Sequence, residues 1–513
     1  MKRKTAFRLA TFAALVGGAG AMVQLGCSTI LGLDDTTLRD AAEAGTAHAA
    51  CVPPSADAGF VVQHTVGWIA SDGTYTKCEP MGFDAKAMQV FVRTDGGFTA
   101  PFPAKELHDD AIYYGPLPAG DRYVLRPGFG DLYIVTGDRL DLGHDEVGRY
   151  SDERTDKDTY LQLKGTPASD DAGEVTDLLG GCVLTGSVDP PVGSPPVWNA
   201  KISTDKLVFD GTRGDVAWVT RRTTDPALGY VAEACTFPKD FKMGDSGMEV
   251  LSVDCATSPK QPIAVGISSP PSLPGATNVT GSFAADLWPG TGAHGLGLFV
   301  DEDGRPKPFG YFSVTRLGLG PLPLDGSLVS FTAVNPAPTT WSTVATLHLA
   351  IARPVELSET GTDGGPSGGK VAMDSIHAWQ VIPTSSHQTT RWSLIDAVSA
   401  VRIGGTEILT GGPAKGVELT PIIVVEPPQK GSQPVGYRIF ITLNGAPPDK
   451  PIFEIVTSTK EVLLPAGILQ SGNVYTLTVE TRFSDSYSEA EPLRAGLPVG
   501  SATITTNGFT TVN

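Results

Sequence analysis

Charge is scarce in this chain: acidic and basic residues together make up only 18 % of it. Reactive signatures are scarcer still. There is no CxxC pair, no P-loop, no dinucleotide-binding fingerprint and no G-x-S-x-G elbow, so the usual sequence marks of nucleotide-binding and α/β-hydrolase enzymes are missing. Eight histidines are scattered. None stands at i, i+4 from another or at zinc-ligand spacing to a cysteine, which argues against a zinc centre. Residues 176–355 carry no sustained i, i+3, i+4 apolar pattern, so long amphipathic helices are not expected there.

What is present is turn chemistry. Sixty glycines and 41 prolines make up about a fifth of the 513 residues, above average usage of about 12 % and below the roughly 25 % of disordered low-complexity chains. Helix interiors tolerate neither residue. With 41 % hydrophobic residues available for cores, the composition predicts an all-β protein of several β-sandwich domains in series. The length suggests roughly three domains at about 150 residues each.

The formal net charge is −18, and Lys2, Arg3, Lys4 and Arg8 crowd the first eight residues. Loss of these four on export would leave about −22, which repels nucleic acid and anionic headgroups. Nucleic acid is therefore not an expected partner. The basic stretch is followed by an apolar run, Leu9–Val23, too short and too rich in Ala and Gly for a comfortable membrane span. Leu25-Gly26-Cys27 comes next. A small residue before a cysteine just after such a run resembles a bacterial lipobox, although Gln24 stands where that pattern usually has Leu. The resemblance implies a signal peptide over 1–26 and a diacylated Cys27, carrying acyl chains such as palmitate, as the mature N-terminus. Several chains at about 0.8 kcal/mol per buried CH₂ would anchor the protein stably. Ser28 rather than Asp after the cysteine implies the outer membrane by the same resemblance. Cleavage after Ala19-Gly20-Ala21, giving a secreted protein, is the alternative.

An exported location permits disulfides. With Cys27 assigned to lipid, Cys51, Cys78, Cys182, Cys235 and Cys255 remain. Cys235 with Cys255 and Cys51 with Cys78 are the economical pairs, each closing a short loop, with Cys182 left over; sequence alone does not fix connectivity.

Along the chain, residues 27–58 read as the lipidated cysteine and a flexible tether. Residues 59–175 read as a first β domain. Met88, Val90 and Val92 alternate along a strand, Asp95-Gly96-Gly97 marks a hairpin turn, and Gly115-Pro-Leu-Pro-Ala-Gly120-Asp-Arg-Tyr123-Val-Leu125 follows. Over residues 85–127 this resembles the carboxypeptidase-regulatory-like or transthyretin-like sandwich family. That implies a non-catalytic module whose Pro-Gly turn feeds a strand with Tyr123 and Leu125 in the core. Leu132–Val135 continues the strands.

Residues 176–357 read as a second β domain, with apolar runs at Val216–Val219, Pro262–Ile267, Leu296–Val300 and Ala345–Ile351. Residues 358–409 read as a linker and connecting segment, including a short helix near Ser393–Val401 with Leu394, Ile395 and Val398 on one face. Residues 410–513 carry the clearest period-two pattern. Tyr437, Ile439, Ile441 and Leu443 alternate with Arg438, Phe440 and Thr442; Tyr475, Leu477, Val479 and Phe483 alternate with Thr476, Thr478 and Glu480. Strands with one wet face are expected. Leu469-Gln-Ser-Gly472-Asn-Val-Tyr475 looks like the tyrosine corner of fibronectin type III domains, which implies that the Tyr475 hydroxyl bonds back to the chain and that Val424 takes the place of the missing early Trp.

Several motifs mislead. Gly244-Asp245-Ser246-Gly247 copies the nucleophile turn of chymotrypsin-like proteases, but Met248 and Glu249 replace the Gly and Pro that should follow, and His48 lies in the tether, only about twenty residues after Cys27, too few for the strands that should precede it. Arg213-Gly214-Asp215 reads as a hairpin turn rather than an integrin ligand, and Asn278-Val279-Thr280 as an unused glycosylation sequon. Ten acids against four bases in residues 141–174 read as a solvated loop face, with a Ca²⁺ site as the functional alternative. Asp301 and Asp303, in Asp301-Glu-Asp-Gly304, are weak Ca²⁺ candidates that lack the later ligands of a calcium loop. Trp68, Trp198, Trp218, Trp288, Trp341, Trp379 and Trp392 read as core more than as sugar-stacking platforms. No catalytic residue is assigned and no cofactor is expected. The functional expectation is a non-enzymatic, membrane-anchored lipoprotein of adhesion, scaffolding or envelope assembly with an unidentified protein or glycan partner. A glycan- or ligand-binding surface protein and an exported hydrolase with accessory β modules are the alternatives.

Overall fold

In a computed structural model, apolar alternation and Gly/Pro turns produce strands almost everywhere that structure is described. The described residues are 59–69, 75–80, 88–95, 97–107, 111–126, 130–147, 394–444, 451–484, 488–492 and 499–512, together with the strands and a few short turns between 159 and 392. Among them the sole helical element is one 3₁₀ turn, Gly211–Arg213. The protein is all-β, with several sheets in a sandwich-like arrangement. All described residues belong to one unit, His48–Asn513.

The apolar runs read from sequence become strands: Ala217–Arg222, Gln261–Ile267, Leu298–Val300 and Ser342–Glu356. The hairpin at Asp95 forms too, pairing Gln89–Thr94 with Gly97–Phe98. In Leu117-Pro-Ala-Gly120, only glycine fits the last position. Gly120 has φ +135°, and a Cβ there would lie 2.3 Å from the Arg93 carbonyl oxygen. The turn thus delivers Asp121–Arg126 against Gln89–Thr94, where Tyr123 packs with Phe91 and Phe98 at ring-centroid distances of 5.8 and 4.9 Å.

One extended sheet runs through parts of the chain that are far apart in sequence. Asp131–Val135 lies parallel to Phe453–Thr457. The latter pairs with Gly436–Leu443, then Val474–Ser484, then Val499–Thr505, then Gly369–Ile382. Register rows cross this sheet. Leu125, Leu132, Ile455, Ile439, Val479 and Ile504 are successive partners. Their face packs on the four-stranded sheet formed by Thr406–Glu407, Ala400–Ile403, Ile422–Glu426 and Glu461–Leu463, whose Val401, Ile403, Ile423, Val425 and Val462 complete the larger core. Full burial of each such aliphatic side chain is worth about 1.5–3 kcal/mol.

The neighbouring row points to the other face: Val90, Val124, Tyr133, Val456, Arg438, Glu480, Thr503 and Ser375. Its first four members face a second small sheet, ordered Arg139–Asp141, Phe60–Gln63, Ala111–Tyr114, Glu106–Leu107, and share a core with Phe60, Val62, Ile112, Tyr114 and Leu140. Sheet on sheet on sheet is the layering found here.

Three expectations need correction. No helix forms near Ser393–Val401: residues 394–399 are irregular, and Ala400–Ile403 is a strand. Leu394, Ile395 and Val398 are buried as expected, but the backbone finds partners outside itself. Ile395 bridges to Gly431, the Ser399 amide donates to the Glu426 carbonyl, and the Asp396 carbonyl accepts from Thr481 Oγ1. Val424 does not enter the core. Ile423 and Val425 do, and Val424 on the opposite face is half-buried. Lastly, the outward face of Gly436–Leu443 and Val474–Ser484 is not wet throughout: Arg438 and Glu480 are buried.

Candidate functional site

The polar end of that second row holds a group of buried ionisable side chains. Arg438 is 3 % exposed, Glu480 1 % and Arg482 3 %. Three strands position them. Arg438 and Glu480 are direct cross-strand partners, and Glu454 projects from the strand on the other side of Arg438. The Arg438 guanidinium donates from Nε and Nη2 to Glu454 Oε1 at 2.8 and 2.6 Å. Its Nη1 lies 3.8 Å from Glu480 Oε2, and Arg482 Nε lies 3.9 Å from Glu480 Oε1. Arg482 Nη1 donates to the Pro492 carbonyl at 2.9 Å. The Arg438 guanidinium carbon also sits 5.3 Å from the centroid of the Phe440 ring, within cation–π range.

Across the parallel seam the group continues into the 130–147 segment. Arg126 Nη1 lies 3.1 Å from Asp131 Oδ2, and the Tyr133 hydroxyl donates to the same oxygen at 3.5 Å. Burial pushes the Asp131 carboxyl up to about 6, against the pull of Arg126, with Glu454 adding to the rise. Burial likewise raises Glu480, opposed by Arg438 and Arg482. Burial works to lower Arg438, but Glu454 and Glu480 hold it above its ordinary value. Tyr133 is raised by burial and by the two nearby carboxylates.

The cluster balances itself. Arg126, Arg438 and Arg482 stand against Asp131, Glu454 and Glu480, three charges of each sign. Perturbed carboxylates often mark active sites, and structural ion networks perturb them as well. Here each carboxylate faces a guanidinium, and Ser501, buried opposite Arg482, adds a hydrogen bond that favours the charged form of Glu480. What the arrangement does chemically is hold strands together: removing one partner leaves an uncompensated buried charge.

A second set of contacts closes the same seam. Glu489 accepts from the amides of Thr136 and Gly137 at 3.0 and 3.2 Å and from the Thr136 hydroxyl, while its other oxygen accepts from Ser458 Oγ at 2.6 Å. Burial opposes ionisation of Glu489, yet these donors hold its carboxyl below the usual range. Arg139 pairs with Glu491 at 2.7 Å, Arg93 with Glu461 at 2.5 Å, and the Asp141 amide donates to the Ala490 carbonyl.

The residues singled out from sequence fall as follows. Cys27, Cys51, Cys182, Asp301, Asp303, His48, Asp245 and Ser246 lie outside the described residues. Cys78 stands opposite Gly67 in its sheet. Cys235 stands directly opposite Cys255. Arg213 ends the 3₁₀ turn rather than a hairpin, and Asn278 opens the strand Asn278–Trp288. Asp141, counted with the solvated acids, is fully buried. It accepts from Gln63 Nε2, Thr65 Oγ1 and the Gly143 amide at 3.0, 2.9 and 2.8 Å, so it pins local chain rather than facing water. Trp379 is core, stacked 5.6 Å from the His377 ring. The Tyr475 hydroxyl does bond back to the chain, accepting from the Gln470 amide at 2.9 Å. Gly472, at φ +72°, supplies the left-handed turn between them.

Reasoning from sequence missed the ion cluster. Its one legible signal was charge at Arg438, Glu454 and Glu480 inside three strongly apolar strands. Among the described residues, no three His, Cys, Asp or Glu side chains are grouped so as to hold a metal ion, and no helix is long and apolar enough to cross a membrane. Fold and site together define a class: an all-β protein with a charged cluster, buried at its centre, at a seam between strands distant in sequence. No family model and no curated protein sequence matches the chain.

Proposed function

We propose that this chain is a non-enzymatic exported lipoprotein, anchored through Cys27, that presents a rigid β scaffold for adhesion, scaffolding or envelope assembly. One observation carries the scaffold reading. Strands from residues 89–135 and 369–505 share one sheet, and their seam is sealed by a charge-balanced buried cluster and the Glu489 contacts. Such a seam fixes the spacing of surface loops. Function in sandwich proteins resides in the loops so positioned. The basic Lys2–Arg8 stretch, the apolar Leu9–Val23 run and Leu25-Gly26-Cys27 support the anchor. Within the same reading, the tyrosine-corner contact supports a fibronectin type III-like C-terminal module, and the Gly120 turn supports a regulatory-like N-terminal one.

The test uses the full chain made in a diderm bacterium and labelled with palmitate. Label on the wild type, a mature N-terminal mass matching acylated Cys27, and loss of both in Cys27→Ala are the expected results. A soluble mature protein that retains Met1 overturns the proposal.

A further inference from the structure

We infer that Cys235 and Cys255 form a cross-strand disulfide that staples the strand at which the sheet changes partners. The strand Gly229–Thr236 is paired along one edge with Ala217–Arg222, with Cys235 opposite Val219. Its C-terminal half also pairs with Asp254–Thr257, in the order Glu233 with Thr257, Ala234 with Ala256, Cys235 with Cys255 and Thr236 with Asp254. At its N-terminal end the partner is different: Gly229 and Tyr230 stand opposite Leu319 and Gly318 of Thr315–Pro321. One strand therefore carries two arms of sheet, and the cysteine pair lies on the arm held by only four opposed residues.

The backbone permits the bond. Directly opposed residues in an antiparallel pair have Cα atoms about 5.5 Å apart at hydrogen-bonded sites and about 4.5 Å at the others. A disulfide needs roughly 4.4–6.8 Å, so either kind of site falls in range. Directly opposed positions share a face of the sheet, and a slip of one residue would set Cys235 against Ala256 or Asp254 instead. Cys78 is placed opposite a glycine in a separate three-stranded sheet. Of the cysteines on described strands, only Cys235 and Cys255 face one another.

Formation is a thiol–disulfide exchange. The two thiols give up two protons and two electrons to an oxidised disulfide donor, which leaves as two thiols, and one S–S bond forms for the one broken. Such a bond persists outside reducing compartments, so in the cell it rests on the exported location proposed above.

The experiment maps cysteines on the full-length chain in two preparations, one held in mixed oxidised and reduced glutathione, the other trapped with alkylating agent at cell lysis. Peptide mass spectrometry should find the Cys235 and Cys255 peptides joined in both, separating on reduction, and Cys255 fully alkylated in Cys235→Ser. Both thiols alkylated in the glutathione-treated wild type, or Cys235 joined to a different cysteine, would overturn the pairing. A bond present in glutathione but absent from the cellular preparation upholds the pairing and counts instead against export.

Discussion

Replacing Asp131 with Asn should stabilise the protein at alkaline pH, although Asp131 lies 3.1 Å from Arg126 in what looks like a favourable ion pair. The Asp131 carboxyl is raised from 3.8 to about 6 because burial outweighs Arg126. A folded-state value above the unfolded one means the native protein holds the proton more tightly. Below about pH 4 both states are protonated and Asp131 costs nothing. Between about 4 and 6 the unfolded chain has ionised while the folded one has not, so stability falls as pH rises. Above 6 both are ionised and the full cost is present. A difference of about 2 between the two values, at 1.36 kcal/mol per unit, amounts to about 3 kcal/mol. Asn cannot titrate, so Asp131→Asn should match the wild type near pH 3 and gain on it toward pH 8, by about 3 kcal/mol at most. Denaturant melts of both proteins at several pH values read this directly. Taking the difference at each pH removes titrations common to both, including that of Glu489. The unit is too large to assume two-state unfolding, so amide exchange along Asp131–Val135 should be followed as a local readout. A variant equal to or weaker than wild type at pH 8 refutes the reasoning and makes the Arg126 pair a net stabiliser.

Arg438→Met should cost about 3 kcal/mol, since it leaves the buried Glu480 with only Arg482 at 3.9 Å and removes the partner of the half-buried Glu454; adding Glu480→Leu should recover part of that in the same denaturant melt. Tyr475→Phe removes the acceptor for the Gln470 amide and should cost about 1 kcal/mol, with faster exchange at Gln470 as its local mark. Glu489→Ala deletes four accepted hydrogen bonds across the seam, and limited proteolysis should then cut near 136–139 sooner than in wild type. The same variant should lose stability relative to wild type at neutral pH but not in acid, because a carboxyl held below its usual range contributes above its unfolded value and loses that contribution as pH falls through the folded one. In reducing and non-reducing melts, Cys235→Ser should abolish a difference of about 3 kcal/mol, the loop-entropy value for a bridge of this span.

Much of the fold was legible because period-two alternation acts locally. Tyr437, Ile439 and Ile441 bury one face of a strand whatever lies beside it, and the turns at Asp95 and Gly120 follow from φ requirements that only a few residues meet. The segment near Ser393–Val401 was not legible for the converse reason. Leu394, Ile395 and Val398 have helical spacing, yet Gly431, Glu426 and Thr481 meet its backbone groups from elsewhere in the chain, and a pattern of apolar residues carries no record of those partners. A short loop makes Cys235 and Cys255 economical partners, but the loop carries no record of the strand register that sets them opposite one another.

The ion cluster illustrates the same limit where it matters for function. Arg438 and Glu480 occupy alternate positions that ordinarily face water, and as isolated strands Gly436–Leu443 and Val474–Ser484 would expose them. Their row, however, runs on through Val456 into Tyr133 and Val124, a stretch of sheet whose outer face is covered by the strands around Phe60 and Ile112. Once Asp131–Val135 docks beside Phe453–Thr457, charges at the margin of that covered face lose water and must find one another. Three guanidiniums meet three carboxylates because any imbalance would be costly at low solvation. The burial that makes these residues resemble an active site is thus the same burial that commits them to holding the sheet together.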